Sequence, residues 1–105
     1  MPVALLTPIL AVEALRECLQ NSGQVKPTRH FLDELEKEGL TLPDAWQVLK
    51  SGCVFDPPEQ DAKSGEWKYK IEGKTPDGKW IAIVFCIKSA DRTNLVTVFS
   101  LEGGH

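Results

Sequence analysis

Hydrophobic residues recur every three or four positions through much of the first half of the chain, which is the spacing of helices with one buried face. This pattern predicts a first helix over residues 9–20, entered through Pro8 because proline suits the first helical turn. A second, short helix is predicted to follow the capping residue Thr28 and to stop at Gly39. The outer face of this second helix is acidic.

A capping signature marks a third helix. Thr41 offers an N-cap hydroxyl, and Asp44 stands three residues later, where its carboxylate can reach back to the cap as in a capping box. Gly52 is predicted to end this helix, since glycine commonly follows the last helical turn. The first half of the chain therefore predicts two or three helices.

From Glu66 the hydrophobic period changes to two, the period of a half-buried strand. A turn at residues 75–78 separates this strand from an apolar stretch over 80–87, which has the composition of a central strand. A second turn at 89–93 leads to a β-branched strand over 95–99. These elements predict an antiparallel meander.

Together the elements predict an α+β fold, in which two or three N-terminal helices pack on one face of a three- to four-stranded antiparallel sheet. Residues 53–55 could add the fourth strand, and a polar surface loop is expected from there to Gly65. We expect residues 1–105 to form a single domain with an ordered core over 9–100. The second face of the sheet is then left to solvent, a partner or a substrate.

Composition narrows the class of protein. The 105 residues are 42% hydrophobic and 26% charged, as in a globular protein, and the net charge is −3. A strongly basic nucleic-acid binder is therefore not the default interpretation. The charge is uneven, because residues 1–62 carry a net −5 and residues 63–105 a net +2. An anionic ligand would be expected to meet the second half.

The cysteines predict a reducing compartment. Cys18, Cys53 and Cys86 are odd in number and widely separated, so they form no disulfide or zinc pattern. Free thiols in the cytoplasm are the expected state. The apolar opening residues lack a basic segment before them and are too few to cross a membrane, so neither a signal peptide nor a membrane partner is predicted.

No metal and no cofactor are predicted. Asp56, Glu59 and Asp61 share a proline-containing loop, but their spacing is not that of a calcium loop. The sequence also contains no glycine-rich phosphate loop and no nucleophile elbow. A cofactor-dependent metabolic enzyme is thus not expected.

Two neighbouring residues at the start of the second helix could carry acid–base chemistry. Arg29 directly precedes His30, so an imidazole beside a cation could act on a phosphodiester. The alternative is that His30 is a partly exposed residue that helps to cap or pack the turn.

Lys68 and Lys70 alternate along one predicted strand, so their side chains share a face, which Glu72 continues. Two ammonium groups ~7 Å apart could hold neighbouring phosphates of a single nucleic-acid strand. The alternative is an ordinary solvated strand face.

Trp67, Tyr69 and Trp80 could stack on bases, but packing is the favoured interpretation, with Trp67 and Tyr69 on the buried face of the sheet and Trp80 at a sheet edge. An ordinary strand residue is likewise the favoured interpretation for Thr97, because threonine is a good strand former and needs no further role. Simple alternation places Thr97 on the same side as Leu95, which argues against its facing a site.

The order of motifs resembles a widespread family of small bacterial and phage-borne domains of unknown function, grouped with the BrnT and RelE toxins in the barnase–EndoU–colicin–RelE fold. The resemblance covers roughly residues 9–100. The positions that carry it are Thr28, His30, Gly39, Leu40, Thr41, Asp44, Gly52, Tyr69, Ile71, Gly73, Gly78, Val96, Thr97 and Val98.

This resemblance implies a toxin-like, metal-independent RNA endonuclease, with RNA or the ribosome as substrate and an antitoxin-like protein as partner. His30 would act as acid or base, and Lys68, Lys70 and Arg29 would bind RNA and stabilise the charged transition state. The family often carries arginines in the helix after the histidine. This chain has Leu32, Glu34 and Glu38 at those positions.

The missing arginines and the net acidity support a second hypothesis, in which the domain is a non-catalytic protein-binding or regulatory module. Its acidic helix would meet a basic partner, or a free sheet edge would pair with another chain. A homodimer is the simplest such arrangement.

Overall fold

A computed structural model of the chain describes residues 5–20 and 24–101. The α+β class is confirmed, with three helices and five strands within these residues. In chain order they are α1 Pro8–Gln20, β1 Gln24–Pro27, α2 Arg29–Lys37, α3 Leu42–Ser51, β2 Glu59–Gln60, β3 Trp67–Lys74, β4 Trp80–Ser89 and β5 Arg92–Ser100.

The five strands form one mixed sheet in the order β1-β5-β4-β3-β2. The predicted antiparallel meander of β3, β4 and β5 is confirmed, with β4 at its centre. The prediction of a purely antiparallel sheet with three to four strands is wrong, because β1 pairs in parallel with β5. This strand has only four residues and ends at Pro27. Its alternation of exposed and half-buried residues is too short to be recognised in the sequence, and its register depends on a partner that lies far along the chain.

Local capping chemistry sets the ends of α2 and α3. The Thr41 N–H donates to Asp44 Oδ2 over 2.9 Å and the Asp44 N–H donates to Thr41 Oγ1 over 3.5 Å, so the predicted capping box is confirmed. Thr28 Oγ1 accepts from the Phe31 N–H over 3.2 Å and donates to the Leu95 carbonyl over 2.9 Å. The cap of α2 therefore also attaches the helix to β5.

All three helices contribute to one hydrophobic core on a single face of the sheet. Phe31 and Phe85 are among the largest side chains in it, and both are fully buried. The Phe85 ring stacks on Tyr69 with 5.5 Å between ring centroids. The other buried members are Ala11, Leu15, Leu35, Ala45, Val48, Leu49, Ile71, Ile81, Ile83, Ile87, Leu95 and Val98. Core packing is thus confirmed for Tyr69, and Trp67 packs partly buried against the same cluster.

A register shift in β5 redirects the side chains beyond it. Val84 pairs with Thr97, whereas the next residue of β4, Phe85, pairs with Leu95, so Val96 is an extra residue. Neighbouring residues of β4 point to opposite faces, and their partners do the same. The expectation that Thr97 faces the same side as Leu95 is therefore wrong: Leu95 is in the core and Thr97 is on the opposite face. Simple alternation cannot anticipate a bulge.

Candidate functional site

The sheet face opposite the helices, here called the open face, contains a cleft of about 640 Å³. The segment 56–59, which precedes and begins β2, forms one wall, and Val96 and Phe99 of β5 form the other. The floor consists of Lys68, Lys70, Val84 and Thr97 from the three central strands. A cavity of this size falls within the range of small-ligand sites. We refer to it as the open-face cleft.

Lys70 lies between two carboxylates at one end of the open-face cleft. Its Nζ is 2.7 Å from Asp56 Oδ2 and 3.8 Å from Glu72 Oε2. The Asp56 side chain is 57% exposed, whereas that of Glu72 is 2% exposed. The hydrogen bond to Asp56 is the main cause that raises the pKa of Lys70. Lys70 therefore remains a cation at neutral pH and can supply charge but not a proton-accepting amine.

Lys68 is engaged by a structured turn beside the cleft. Its Nζ is 3.1 Å from Asp61 Oδ2. The other oxygen of Asp61 accepts the N–H groups of Lys63 and Ser64 over 2.8 and 2.9 Å. The Ser64 N–H first, and then the ammonium of Lys68, lower the pKa of Asp61 well below its usual range.

Replacing Asp61 with asparagine should show how much the charge of this carboxylate contributes to stability. The amide oxygen can still accept the two N–H groups, but the ion pair with Lys68 is lost. Because folding lowers the pKa of Asp61, its stabilising contribution is complete above the unfolded value of about 4 and is lost as the pH falls through the folded value. We expect the melting temperature of Asp61→Asn to lie below that of the wild type at pH 7, and the difference to shrink between about pH 4 and pH 2.

The control for this prediction is Asp77→Asn, the same chemical change in an exposed residue of the turn between β3 and β4. Thermal unfolding followed by circular dichroism at several pH values measures both variants. Equal and pH-independent effects of the two substitutions would contradict the role given to Asp61.

The structure brings two of the predicted site residues together and places the other two elsewhere. Lys68 and Lys70 both line the open-face cleft. His30 and Arg29 lie in the first turn of α2, where both are exposed, and neither lines the cleft. Arg29 Nε is 3.2 Å from Asp33 Oδ1, one helical turn further along.

Several residues reach the cleft that the sequence does not predict as site residues: Phe99 carries no signal, and alternation argues against Thr97. Thr97 and Phe99 reach the cleft because the bulge at Val96 turns the end of β5 towards the open face. In the sequence, the spacing of Asp56 and Glu59 indicates neither a metal site nor a place in a cleft. Among residues 5–20 and 24–101, no group of three His, Cys, Asp or Glu side chains is placed to hold a metal ion. The pairing of β2 with β3, which brings Glu59 opposite Lys68, has no signal in a two-residue strand.

Comparison with known protein families assigns the chain to one of them. The model of the family described as a domain of unknown function (DUF4258) matches residues 28–100. The chain belongs to this family. The DUF4258 match spans α2 to β5 and thus includes the whole cleft, while α1 and β1 precede it. No curated protein and no solved structure matches the chain. The match supports the predicted small domain of unknown function and carries no link to the BrnT or RelE toxins.

The segment before the DUF4258 match still completes the fold. Ala11 and Leu15 of α1 are fully buried in the core. The Leu6 N–H donates to the Tyr69 hydroxyl over 2.8 Å, and Arg16 donates to the Gly52 carbonyl over 2.9 Å. None of the helices in the described part of the chain has the length and apolar character needed to cross a bilayer.

Proposed function

We propose that this DUF4258 domain is a non-catalytic binding module whose open-face cleft receives a segment of a partner polypeptide. The observation that carries the proposal is the lining of the cleft. Val84, Val96 and Phe99 offer apolar surface next to charged groups, and a cleft of this kind on a sheet can take up alternate side chains of an extended peptide. The partner is a regulatory protein or a second copy of the chain.

The charge around the cleft also favours a polypeptide over a nucleic acid. Asp56, Glu59, Glu72 and Asp61 surround two lysines, and each lysine is already in an ion pair. A nucleic-acid site derives much of its affinity from cations that neutralise phosphates. In this cleft both lysines are instead paired with carboxylates of the protein. Free cysteines at positions 18, 53 and 86 support the cytoplasm as the compartment.

Photo-crosslinking from inside the cleft tests the proposal. Phe99→p-benzoylphenylalanine places the probe on a side chain that is 38% exposed and lines the cleft. The matched control carries the probe at Lys50, an exposed position of α3. After irradiation in the native host, we expect a defined polypeptide adduct from position 99 and none from position 50. A partner of another mass indicates a hetero-complex, and a doubled mass indicates a homodimer. Identical adducts from both positions, or none, would overturn the proposal.

We also propose, as a second candidate, a metal-independent RNA endonuclease of the RelE/BrnT type. The observation that favours it is the convergence of Lys68 and Lys70 on one cleft, where two cations could stabilise a charged phosphorane. RNA adducts from position 99 would support this candidate and overturn the first.

Inducing the protein in a bacterium that lacks its native neighbours provides a direct test of the endonuclease. Growth arrest and RNA cleavage that disappear in Lys68→Ala/Lys70→Ala would support it and place its site in the cleft. Loss of activity in His30→Ala alone would instead place the chemistry on α2. Soluble protein with neither arrest nor cleavage would leave the binding module as the function.

A further inference from the structure

Given the proposed binding function, we infer that the segment received by the open-face cleft is extended and basic, with an arginine or lysine directed at Asp56 and Glu59 and an apolar side chain two residues away lying on Val84, Val96 and Phe99. The inference names the chemistry of the partner at the cleft. It depends on charge, on exposure and on the dimensions of the lining.

Among the described residues, the β2 side of the cleft has more carboxylates than ammonium groups: four (Asp56, Glu59, Asp61 and Glu72) against two (Lys68 and Lys70). Lys68 is balanced by Asp61, 3.1 Å away. Lys70 has both Asp56 and Glu72 within 4.0 Å. Glu59 is a further carboxylate of the same wall and is exposed. An acidic segment entering here would meet like charges, whereas a cation would gain charge-assisted hydrogen bonds.

Lys70 can accommodate a competing cation. The ligand would approach the outer carboxylate, Asp56, whose side chain is 57% exposed. Lys70 would then remain 3.8 Å from the carboxylate of Glu72, a residue that is two positions along the same strand and has a side chain only 2% exposed. Binding thus shares one carboxylate and leaves no buried charge without a counter-charge, which is the costly outcome in such sites.

The other half of the cleft is apolar. Val84 lies on its floor, and Val96 and Phe99 line the β5 wall, with 38% of Phe99 exposed. Covering this surface with an aliphatic side chain removes apolar area from water.

The dimensions fit an extended chain. The cleft crosses β3, β4 and β5, and two strand spacings of about 4.8 Å give a width of ~10 Å. Three extended residues cover this length at ~3.3 Å each, and residues i and i+2 point to the same side. A segment of the form Arg-x-Leu, in either direction, therefore places its two side chains over the acidic and the apolar halves together.

Nuclear magnetic resonance titration of the full chain tests the inference with defined probes. The probes are the blocked peptides Gly-Arg-Thr-Leu-Gly and Gly-Leu-Thr-Arg-Gly, and the control peptide is Gly-Glu-Thr-Leu-Gly. We expect saturable amide shifts at Val84, Val96 and Thr97 with at least one arginine peptide at millimolar concentration, and none with the glutamate peptide. Equal shifts with the glutamate peptide, or no saturable shift with any peptide, would overturn the inference.

Matched variants separate a specific site from general electrostatics. Asp56→Asn/Glu59→Gln should weaken binding of the arginine peptide by about tenfold. Asp33→Asn/Glu36→Gln removes the same charge from exposed positions of α2 and should leave the affinity unchanged. An equal loss in both double variants would overturn the inference. A position-99 adduct that maps to an acidic or wholly apolar segment would also overturn it, while the proposed binding function would stand.

Discussion

Replacing Gly52 with alanine is expected to destabilise the protein by about 3 kcal/mol, the upper part of the range for overpacking a tight site. Gly52 ends α3 at the point where the chain meets β3. A Cβ there would lie 2.6 Å from the Glu72 carbonyl oxygen and 2.6 Å from that of Val48. Both atoms are backbone, so neither can rotate away.

Gly52→Ala is expected to destabilise the protein because of steric overlap and not because of backbone conformation. The backbone of Gly52 is extended, with φ −77° and ψ 179°, which any residue can adopt. The close approach is fixed by the neighbouring pairs, because Cys53 and Glu72 exchange two backbone hydrogen bonds of 2.9 and 2.8 Å. An alanine at position 52 must therefore break this bridge or displace the end of α3.

Chemical denaturation compares Gly52→Ala with two neighbours. Ser51→Ala changes an exposed residue and should alter the free energy of unfolding by less than about 0.5 kcal/mol. Gly73→Ala should cost about 1 kcal/mol, since its Cβ would lie 3.1 Å from Gly52 Cα and 3.3 Å from a movable Val48 methyl. A Gly52→Ala protein as stable as Ser51→Ala would show that the α3–β3 junction yields easily.

The features that the sequence predicts correctly are those determined by residues close together in the chain. The capping box depends on Thr41 and Asp44, which are three positions apart, and both residues and their spacing are visible in the chain. The turn at residues 75–78 is equally local, and Gly78 adopts a φ of 85° there, a value that favours glycine. The period-two pattern likewise placed Lys68 and Lys70 together on the open face.

The sequence does not predict features that depend on contacts between residues far apart in the chain. β1 is a strand because the backbone of β5 lies beside it, some 70 residues along the chain, with Gln24 opposite Arg92. The bulge at Val96 arises from pairing with β4, and without it Thr97 would have faced the core. Since the cleft depends on this bulge and on the pairing of β2, the candidate site could be predicted in part from the lysines but not in its shape or its acidic wall.

Replacing Phe85 with alanine is expected to cost 3–5 kcal/mol, roughly the range for emptying a buried aromatic site. Phe85 is fully buried at the centre of β4 and stacks on Tyr69, with 25° between the ring planes. Both neighbouring strands pack against it through Tyr69 and Leu95, so the surrounding side chains cannot collapse into the space without moving the sheet. Denaturant unfolding of the variant and the wild type measures the loss.

Phe99→Ala is the matched control, because it removes the same side chain from the opposite face of the adjacent strand. Phe99 is 38% exposed and lines the cleft, so its truncation should cost less than about 1.5 kcal/mol and leave the fold intact. Phe99→Ala should nevertheless weaken binding of the arginine peptide, since the apolar half of the cleft loses its aromatic side chain. A fall in peptide affinity without loss of stability in Phe99→Ala, set against a large loss of stability in Phe85→Ala, would separate the face that holds the domain together from the face that binds. Similar losses of stability in both variants would instead mean that the open face is part of the core.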